Sequence, residues 1–402
     1  MQNKMTNLPQ GWEVKKFEEI ANIKGGKRLP KGENLLDNNT KFTYIRVADF
    51  QDNGTINLQN IKFINENTYN VLKNYKIYDD NLYISIAGTI GKSGIIPKEL
   101  NGAILTENAV KLEYIQNNIS NKFMYFFTLS NIFKTQIQTS TKIVAQPKLA
   151  ITRLKQIQIP LPPLKEQERI VGILDESFAK IDESIKILEQ NLLNLDELMQ
   201  SALRKAFNPL NDDTKENYQL PQSWEWKSLE EISENISAGG DKPKNCTESK
   251  TAKNQIPVYA NGVNNNGLVG YTDKATIIKP SLTISARGTI GFVCIRKEPY
   301  FPIVRLISLI PCENILCLHY LYFCLNFFIA KGEGSSIPQL TIPKFKSLQI
   351  PLPPLKEQEQ IAKHLDFVFE KTKALKELYT KELKDYEELK QSLLNKAFKG
   401  EL

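Results

Sequence analysis

The sequence has few of the side chains on which most metal and disulfide sites depend. Its 402 residues include two histidines and five cysteines, and no two cysteines form a C-x-x-C pair. A zinc site with the usual spacing and a disulfide framework are therefore not expected. No stretch approaches the roughly 18–20 consecutive apolar residues of a membrane helix, and no apolar targeting segment follows Met1. We expect a cytoplasmic protein without a membrane segment.

A set of acid, base and nucleophile with the spacing of a catalytic site is also missing. His319 sits among apolar neighbours and His364 lies on the flanking side of a predicted helix, so structural roles are expected for both. Residues 88–93, Gly-Thr-Ile-Gly-Lys-Ser, are similar to the end of a phosphate-binding loop, but Ile86 stands where that motif needs glycine. The sequence predicts a chain that is not an enzyme and that holds no metal or cofactor of its own.

Positive charge is present, and nearly all of it is lysine. The chain has 52 basic and 45 acidic residues, a net charge of +7, and only eight of the basic residues are arginine. Hydrophobic residues make up 41% and charged residues 24%, which is typical of a folded protein. The length predicts several units, each with a core of its own.

The chain contains a long internal repeat. The repeated landmarks are Leu-Pro-Gln-Gly-Trp-Glu at 8–13 and Leu-Pro-Gln-Ser-Trp-Glu at 220–225, Gly-Thr-Ile-Gly at 88–91 and 288–291, and Ile-Pro-Leu-Pro-Pro-Leu-Lys-Glu-Gln-Glu at 159–168 and 350–359. Their offset falls from 212 to 200 to 191 residues, so the frame repeats while the loops differ in length. Each half is predicted to be one globular part followed by a tail.

Each tail is predicted to form one long helix, because the double proline ends the extended segment before it and the helix begins after it. In the first tail the apolar residues alternate in steps of three and four: Val171, Leu174, Phe178, Ile181, Ile185, Leu188, Leu192, Leu195, Met199, Ala202 and Ala206. The second tail follows the same pattern, which Thr372 and Glu382 weaken, at Ile361, Leu365, Val368, Thr372, Leu375, Tyr379, Tyr386, Leu389 and Leu393. Such seams need a partner. We predict an antiparallel pair within the chain, in which residues 165–207 span roughly 60 Å.

The globular parts are predicted to be mixed α and β. Short β-rich runs occur at 42–47, 82–86, 276–284 and 304–310, and helical patches at 121–130 and 315–328. The predicted boundaries are 1–160 and 208–350 for the globular domains, and 161–207 and 351–402 for the two helices.

The excess of positive charge lies outside the helices. Residues 165–206 carry six basic and nine acidic side chains and residues 356–399 carry ten and nine, which leaves +9 on the rest of the chain. Lysine and arginine neutralise phosphates, and guanidinium and amide groups bind guanine and adenine edges. A DNA-binding role is therefore predicted for Lys24, Lys27, Arg28, Lys31, Arg46 and Lys92 in the first half and for Lys242, Lys244, Asn245, Asn261, Asn264 and Arg287 in the second. The alternative for any one of them is a solvated loop residue.

Taken in this order, the landmarks resemble those of the specificity subunits of type I restriction-modification enzymes. The resemblance rests on the doubled decapeptide before each helix, the Leu-Pro-x-x-Trp openings, the two Gly-Thr-Ile-Gly loops and the Ile-Pro-Val-Tyr-Ala-Asn-Gly-Val run at 256–263, and it covers the whole chain. It implies two mixed α/β target recognition domains, repeated about a pseudo-twofold, and separated by two long α-helices that form an antiparallel coiled coil. Each domain would read one half of a gapped site in double-stranded DNA, and the helices would set the unread spacer.

The resemblance also implies partners. Two methyltransferase subunits would bring S-adenosylmethionine, and restriction subunits would bring ATP and Mg²⁺, while this chain would bind no cofactor and no membrane. One alternative is a recognition subunit of a modification-only or single-chain restriction-methyltransferase system. Another, favoured only by the modest net charge, is a coiled-coil scaffold with two protein-binding domains and no role on DNA.

Overall fold

A computed structural model describes residues 8–38, 40–141, 149–208, 210, 219–329, 332–333 and 339–402. The contacts divide the chain into unit 1, residues 1–188 with 381–402, and unit 2, residues 189–380. Each unit combines one globular part with segments of both long helices. Because the division falls inside the helices, the predicted domain boundaries stay predictions.

In the first half of the chain the described strands are β1 (Glu13–Lys16), β2 (Ala21–Gly25), β3 (Thr43–Ile45), β4 (Lys62–Phe63), β5 (Lys76–Ile77), β6 (Leu82–Ser85), β7 (Ser93–Ile95), β8 (Ala103–Leu105), β9 (Ala109–Tyr114) and β10 (Gln158–Leu161). The helices there are α1 (Phe17–Ile20), α2 (Glu66–Leu72), α3 (Asn121–Leu129), α4 (Asn131–Thr141), α5 (Ile151–Lys155) and α6 (Leu164–Phe207). Short 3-10 helices lie at Val47–Asp49, Lys73–Tyr75 and Lys98–Leu100.

In the second half the described strands are β11 (Glu225–Ser228), β12 (Ser233–Ala238), β13 (Ile256–Tyr259), β14 (Leu268–Thr272), β15 (Ser281–Ile284), β16 (Thr289–Ile290), β17 (Val293–Arg296), β18 (Phe301–Pro302), β19 (Ile307–Pro311), β20 (Gly332–Glu333) and β21 (Gln349–Leu352). The helices are α7 (Leu229–Ile232), α8 (Leu318–Phe328), α9 (Ile342–Lys346) and α10 (Leu355–Ala397), with a 3-10 helix at Asn264–Gly267.

Unit 1 is built on two four-stranded sheets. One is antiparallel with the order β2-β9-β6-β7, and the other has the order β4-β3-β8-β5, in which β3 and β8 are parallel. Every residue of β6 is buried, as expected for the central strand of an apolar layer. The core between the first sheet and α3 is mainly aliphatic and aromatic, and its fully buried members include Phe17, Leu82, Val110, Phe123, Phe127 and Leu154.

Unit 2 has the same arrangement of two sheets and a helix, which we call the frame. Its four-stranded sheet has the order β12-β19-β15-β17, and a second sheet has the order β14-β13-β18, in which β13 and β18 are parallel. The core again lies between the first sheet and a helix, here α8, and includes Leu229, Leu282, Leu309, Tyr320, Leu321 and Phe345. The predicted mixed α/β character of both globular parts is confirmed.

The repeated landmarks at the two ends of each globular part meet in space. β1, from the opening motif, pairs antiparallel with β10, from the proline-rich motif, so that Glu13 lies opposite Leu161. In unit 2 the same ribbon forms between β11 and β21, with Glu225 opposite Leu352. A two-stranded ribbon consists of edges only, which is where a sheet tolerates proline. The ribbon thus closes each globular part just before its long helix begins.

The two long helices pair antiparallel. In unit 1 the first turns of α6 share a core with the last turns of α10, and Leu174 and Leu394 are both buried there. In unit 2 the last turns of α6 pack on the first turns of α10, with Leu203 and Leu365 buried. The predicted helical pair is therefore confirmed.

The seam of the second helix differs in detail from its prediction. Thr372, which interrupts the apolar pattern, is buried, whereas Leu375 and Leu389 are exposed. The apolar spacing alone was wrong at these two leucines, because it does not show which residues of α10 face α6.

Candidate nucleic-acid interface

Four loops of unit 1 converge at one end of its sheets. The Gly26 amide donates to the carbonyl of Ala109 at 3.0 Å, and the Thr106 amide to that of Ile45 at 3.0 Å. The Ile86 amide donates to the carbonyl of Asn108 at 2.8 Å. These bonds bring together the loops after β2, β3, β6 and β8, and with them three of the predicted residues, Lys27, Arg28 and Arg46.

Most of the predicted basic residues of unit 1 are paired with a carboxylate of the same unit. The pairs are Lys24 Nζ–Glu113 Oε2 at 2.6 Å, Arg28 Nε–Glu107 Oε1 at 2.8 Å, Arg46 Nη2–Asp49 Oδ1 at 2.5 Å and Lys92 Nζ–Asp52 Oδ1 at 2.7 Å. A cation that faces a carboxylate offers less attraction to a phosphate, since the two anions compete for the same donors. The pairing lowers the charge that unit 1 presents.

The ion pair with Arg28 changes the pKa of the Glu107 carboxyl. Burial pushes the pKa of Glu107 upward, but hydrogen bonds from Arg28, its own backbone and Thr106 outweigh burial, so the pKa lies below its ordinary value. The hydrogen bond to Glu107 in turn raises the pKa of Arg28. Both groups therefore keep their charge near neutral pH.

Two predicted lysines of unit 1 have no ion pair within the described residues. Both Lys27 and Lys31 are exposed. The Lys27 backbone is fixed by its amide, which donates to Leu105, and by its carbonyl, which accepts from the Tyr44 hydroxyl at 2.8 Å. Its ammonium lies 5.9 Å from the centre of the Tyr75 ring. Lys27 is the better placed of the two, because its backbone lies in the convergent loops.

The first Gly-Thr-Ile-Gly motif is a hairpin turn between β6 and β7. Gly88 and Gly91 have φ angles of +75° and +89°, a region that side chains with a Cβ rarely adopt. The Lys92 amide donates to the Ser85 hydroxyl at 2.9 Å and closes the turn. The motif is thus explained by the geometry of the hairpin, in agreement with its failure to match a phosphate-binding loop.

Equivalent loops converge in unit 2. The Ile303 amide donates to the carbonyl of Tyr259 at 2.8 Å, and the Gly239 amide to that of Leu306 at 2.8 Å. The Asn261 side chain links two of these loops, since it accepts from the Ala286 amide at 2.8 Å and donates to the carbonyl of Val304 at 2.7 Å. Both ends of the predicted Asn261 amide are therefore used within the protein, where they hold the two loops together.

The other predicted residues of unit 2 fall into two groups. Lys242, Lys244 and Asn264 are exposed, and the described part of the chain places no ion pair or side-chain hydrogen bond on them. By contrast, Asn245 donates to Asp273 at 2.5 Å, and Arg287 donates to Gln339 at 2.9 Å. The free residues keep their donors available to a ligand.

Arg296 is a buried cation that the sequence gave no reason to single out. It is 8% exposed, and its guanidinium carbon lies 3.5 Å from the centre of the Tyr259 ring. It donates to the Thr283 hydroxyl at 3.0 Å and to the carbonyl of Asn266 at 2.6 Å. Asn266 belongs to the exposed Asn264–Gly267 turn, so Arg296 supports the loop that carries Asn264.

A buried glutamine joins unit 1 to its long helix. Gln167, from the decapeptide, is 1% exposed. Its amide nitrogen donates to the carbonyls of Asn118 and Pro162 at 3.1 and 2.9 Å, and its oxygen accepts from the Ser120 amide at 2.8 Å. Because Ser120 caps α3, the bond ties that helix to the start of α6.

Unit 2 has the same joint. Gln358 is fully buried, donates to the carbonyls of Ile315 and Pro353 at 2.9 and 2.8 Å, and accepts from the Cys317 amide at 2.9 Å. The identity of this glutamine in the two copies of the decapeptide was the available signal, but only the structure shows that it faces inward.

Among the described residues, no group of three or more His, Cys, Asp or Glu side chains is arranged to hold a metal ion. None of the helices in the described ranges is long and apolar enough to cross a membrane.

Comparisons with known proteins identify the same family along most of the chain. A family model described as the type I restriction modification DNA specificity domain matches residues 9–193 and again residues 221–385. A putative type I specificity subunit of Mycoplasma pneumoniae is 29% identical over 353 residues, 87% of each chain. A putative type I restriction enzyme specificity subunit of Methanocaldococcus jannaschii is 23% identical over 98% of this chain and 94% of its own.

Solved structures agree at the level of the fold. A chain from a study of complex assembly and conformational transition of the type I R-M system superposes with a TM-score of 0.80 at 19% identity, covering 99% of this chain and 100% of that one. The HsdS subunit from Thermoanaerobacter tengcongensis superposes with a TM-score of 0.61 at 20% identity and covers all of both chains.

Proposed function

The chain belongs to the type I restriction modification DNA specificity domain family as a non-catalytic specificity subunit, and we propose that it reads a gapped, two-part sequence in double-stranded DNA. Unit 1 reads one half-site and unit 2 reads the other. The observation that carries the proposal is the repeated convergence of four loops on one frame, each set with basic or amide side chains at its surface. Loops on a rigid scaffold are suited to reading bases, because they vary without disturbing the core.

The parts that are built alike in both units, namely the two-stranded ribbon, the buried glutamine and the start of each long helix, are the proposed docking surface for partner subunits. Two methyltransferase subunits bind there and bring S-adenosylmethionine, and restriction subunits bring ATP and Mg²⁺. This chain supplies no cofactor site. Support comes from the ribbon, the buried glutamine and the helix start, which are built alike in both units and so present the same shape twice.

Host DNA provides the direct test. We expect N6-methyladenine at one gapped motif across the genome in cells that carry this gene with its partner genes, and loss of that methylation when the gene is deleted. Methylation that persists at every motif after deletion would overturn the proposal. Binding of the purified chain to a protein partner, with no sequence-dependent binding to duplex DNA, would favour the scaffold function instead.

An exchange of domains tests the division of labour. Replacing residues 1–160 with the first domain of another family member is expected to change one half of the methylated motif and to leave the other half and the spacer unchanged. A change in both halves would contradict the assignment of one half-site to each unit. Co-purification of the methyltransferase with and without a restriction subunit separates a complete system from a modification-only one.

A further inference from the structure

The turn between β18 and β19 in unit 2 has an unusual backbone. The Leu306 amide donates to the carbonyl of Ile303 at 3.0 Å, which closes a four-residue turn. Its two central residues, Val304 and Arg305, have φ angles of +54° and +60°. Positive φ at both central positions is the pattern of a type I′ turn, which strongly prefers Asn-Gly. A β-branched valine there is a strained residue.

The rest of unit 2 holds this turn in place. The Val304 amide donates to the carbonyl of Gly240 and the Arg305 amide to that of Gly239, both at 2.8 Å. The Asn261 side chain donates to the Val304 carbonyl. Gly239 permits the approach, because a Cβ at that position would lie 2.6 Å from the Ile303 nitrogen. Backbone strain persists only where its surroundings determine it in this way, and it concentrates at functional sites.

Unit 1 builds the corresponding turn without strain. There the Ala109 amide donates to the carbonyl of Thr106, and the central residues are Glu107 and Asn108. Neither has a positive φ. The same frame therefore closes with an ordinary turn, so the shape of the fold does not require the strained one.

The strain changes what unit 2 presents to a ligand. Val304 is 52% exposed and Arg305 is also exposed. Within the described residues the Arg305 guanidinium has no hydrogen bond or ion pair. The turn stands among the convergent loops, since Asn261 joins it to Ala286 at the start of the second Gly-Thr-Ile-Gly loop. An apolar group and a free guanidinium thus lie side by side on a fixed backbone.

From this arrangement we infer that the Ile303–Leu306 turn is a specificity-determining element of unit 2, in which Arg305 binds a guanine edge and Val304 contacts an apolar base edge in the major groove. The inference rests on the proposed DNA-binding function. Arginine with guanine is the commonest specific base contact, and aliphatic groups contact the thymine methyl. Rigid presentation avoids the cost of ordering the turn on binding.

The first test is Arg305→Ala in the full chain, assembled with its methyltransferase partner. Binding is measured on duplexes in which each position of the unit 2 half-site is changed in turn. Discrimination at one guanine is expected to fall by about 5- to 150-fold, while the unit 1 half-site is read as before. Equal weakening on all sequences, with a shallower salt dependence, would indicate a phosphate contact and overturn the base-reading role.

The second test is Val304→Gly, which relieves the strain. Its melting temperature is expected to rise by about 2–4 °C while discrimination at the unit 2 half-site falls. A rise in melting temperature with unchanged discrimination would overturn the role of Val304. Lys297→Ala is the control, because Lys297 is an exposed cation of the same unit outside these loops, and it should change neither quantity.

The wild-type complex separates this inference from the function on which it rests. If the wild type methylates no gapped motif, the proposed function fails and the inference fails with it. If the wild type methylates such a motif and Arg305→Ala leaves every position of it unchanged, the inference alone is wrong.

Discussion

Unit 1 and unit 2 share a frame and differ in the charge of its loops. The strand order β2-β9-β6-β7 of one matches β12-β19-β15-β17 of the other, and the buried glutamine makes three equivalent hydrogen bonds in each. Within the described residues, the loops of unit 1 pair four of its six predicted cations with carboxylates and leave Lys27 and Lys31 unpaired, whereas Lys242, Lys244 and Arg287 of unit 2 have no carboxylate partner. Backbone hydrogen bonds and the side-chain amide of one buried glutamine hold the frame of each unit. The charged side chains of the loops can therefore differ without disturbing it.

The largest expected effect concerns the shared frame. Gln358→Leu leaves the Cys317 amide and two carbonyls without their buried partner, so we expect it to lower the free energy of unfolding of unit 2 by about 2–4 kcal/mol. Gln167→Leu is expected to cost unit 1 a similar amount. Hydrogen exchange of each unit measures both, with Gln200→Leu as the control because Gln200 is exposed on α6. A cost confined to one unit would show that the two joints are not equivalent.

The next effect concerns the loop charges. Glu107→Gln is expected to release Arg28 for a phosphate, which tightens DNA binding at low salt and steepens the dependence of log K on log salt by about 0.9. Titration of full-chain binding to a duplex across salt concentrations checks this. Glu298→Gln removes the same charge from an exposed residue of unit 2 and should leave the slope unchanged. Equal slopes for both variants would mean that Arg28 contacts no phosphate.

The frame was predictable because the motifs that begin and end it occur twice in the sequence. The repeated motifs placed the globular parts and the two helices, and the predicted patch at 121–130 is the observed α3, Asn121–Leu129. Strand order was not predictable, since it depends on contacts between segments far apart in the chain. Residues 304–310 were predicted as a short β-rich run, but β19 begins at Ile307. That prediction was wrong at residues 304–306, because apolar spacing carries no information about a turn that tertiary hydrogen bonds impose.

The interface was harder to predict than the frame for a physical reason. A basic or amide side chain has the same sequence signature whether it faces solvent or a partner inside the protein. Asn245 and Asn261 proved to be engaged within the chain, while Lys242 and Asn264 are open. The DNA-binding roles predicted for all of these residues stay predictions.

A smaller effect is expected at one contact that unit 1 and unit 2 make with different side chains. Lys122 Nζ lies 2.6 Å from Asp175 in unit 1, and His319 Nδ1 lies 2.8 Å from Asp366 at the matching place in unit 2. Exposed pairs of this kind contribute little, so His319→Lys is expected to change the free energy of unfolding by less than about 1 kcal/mol. Denaturant titration checks it, beside Lys122→His as the reciprocal exchange. A larger loss in either variant would mean that the pair has a structural role that its exposure does not suggest.

The smallest expected effect concerns pH. Above about pH 5, the effect of Glu107→Gln on DNA affinity should not depend on pH, which tests the difference in loop charge between the two units. Because the pKa of Glu107 lies below its ordinary value, the carboxylate stays ionised and paired with Arg28 at pH values well above that value, and the pairing is lost only as the pH falls through the lowered pKa. The ratio of DNA affinities between Glu107→Gln and the wild type should therefore be the same at pH 8 and at about pH 5.5. A ratio that approaches one at the lower pH would mean that Glu107 has already gained a proton. The neutralisation of Arg28 would then depend on conditions rather than being a fixed property of unit 1.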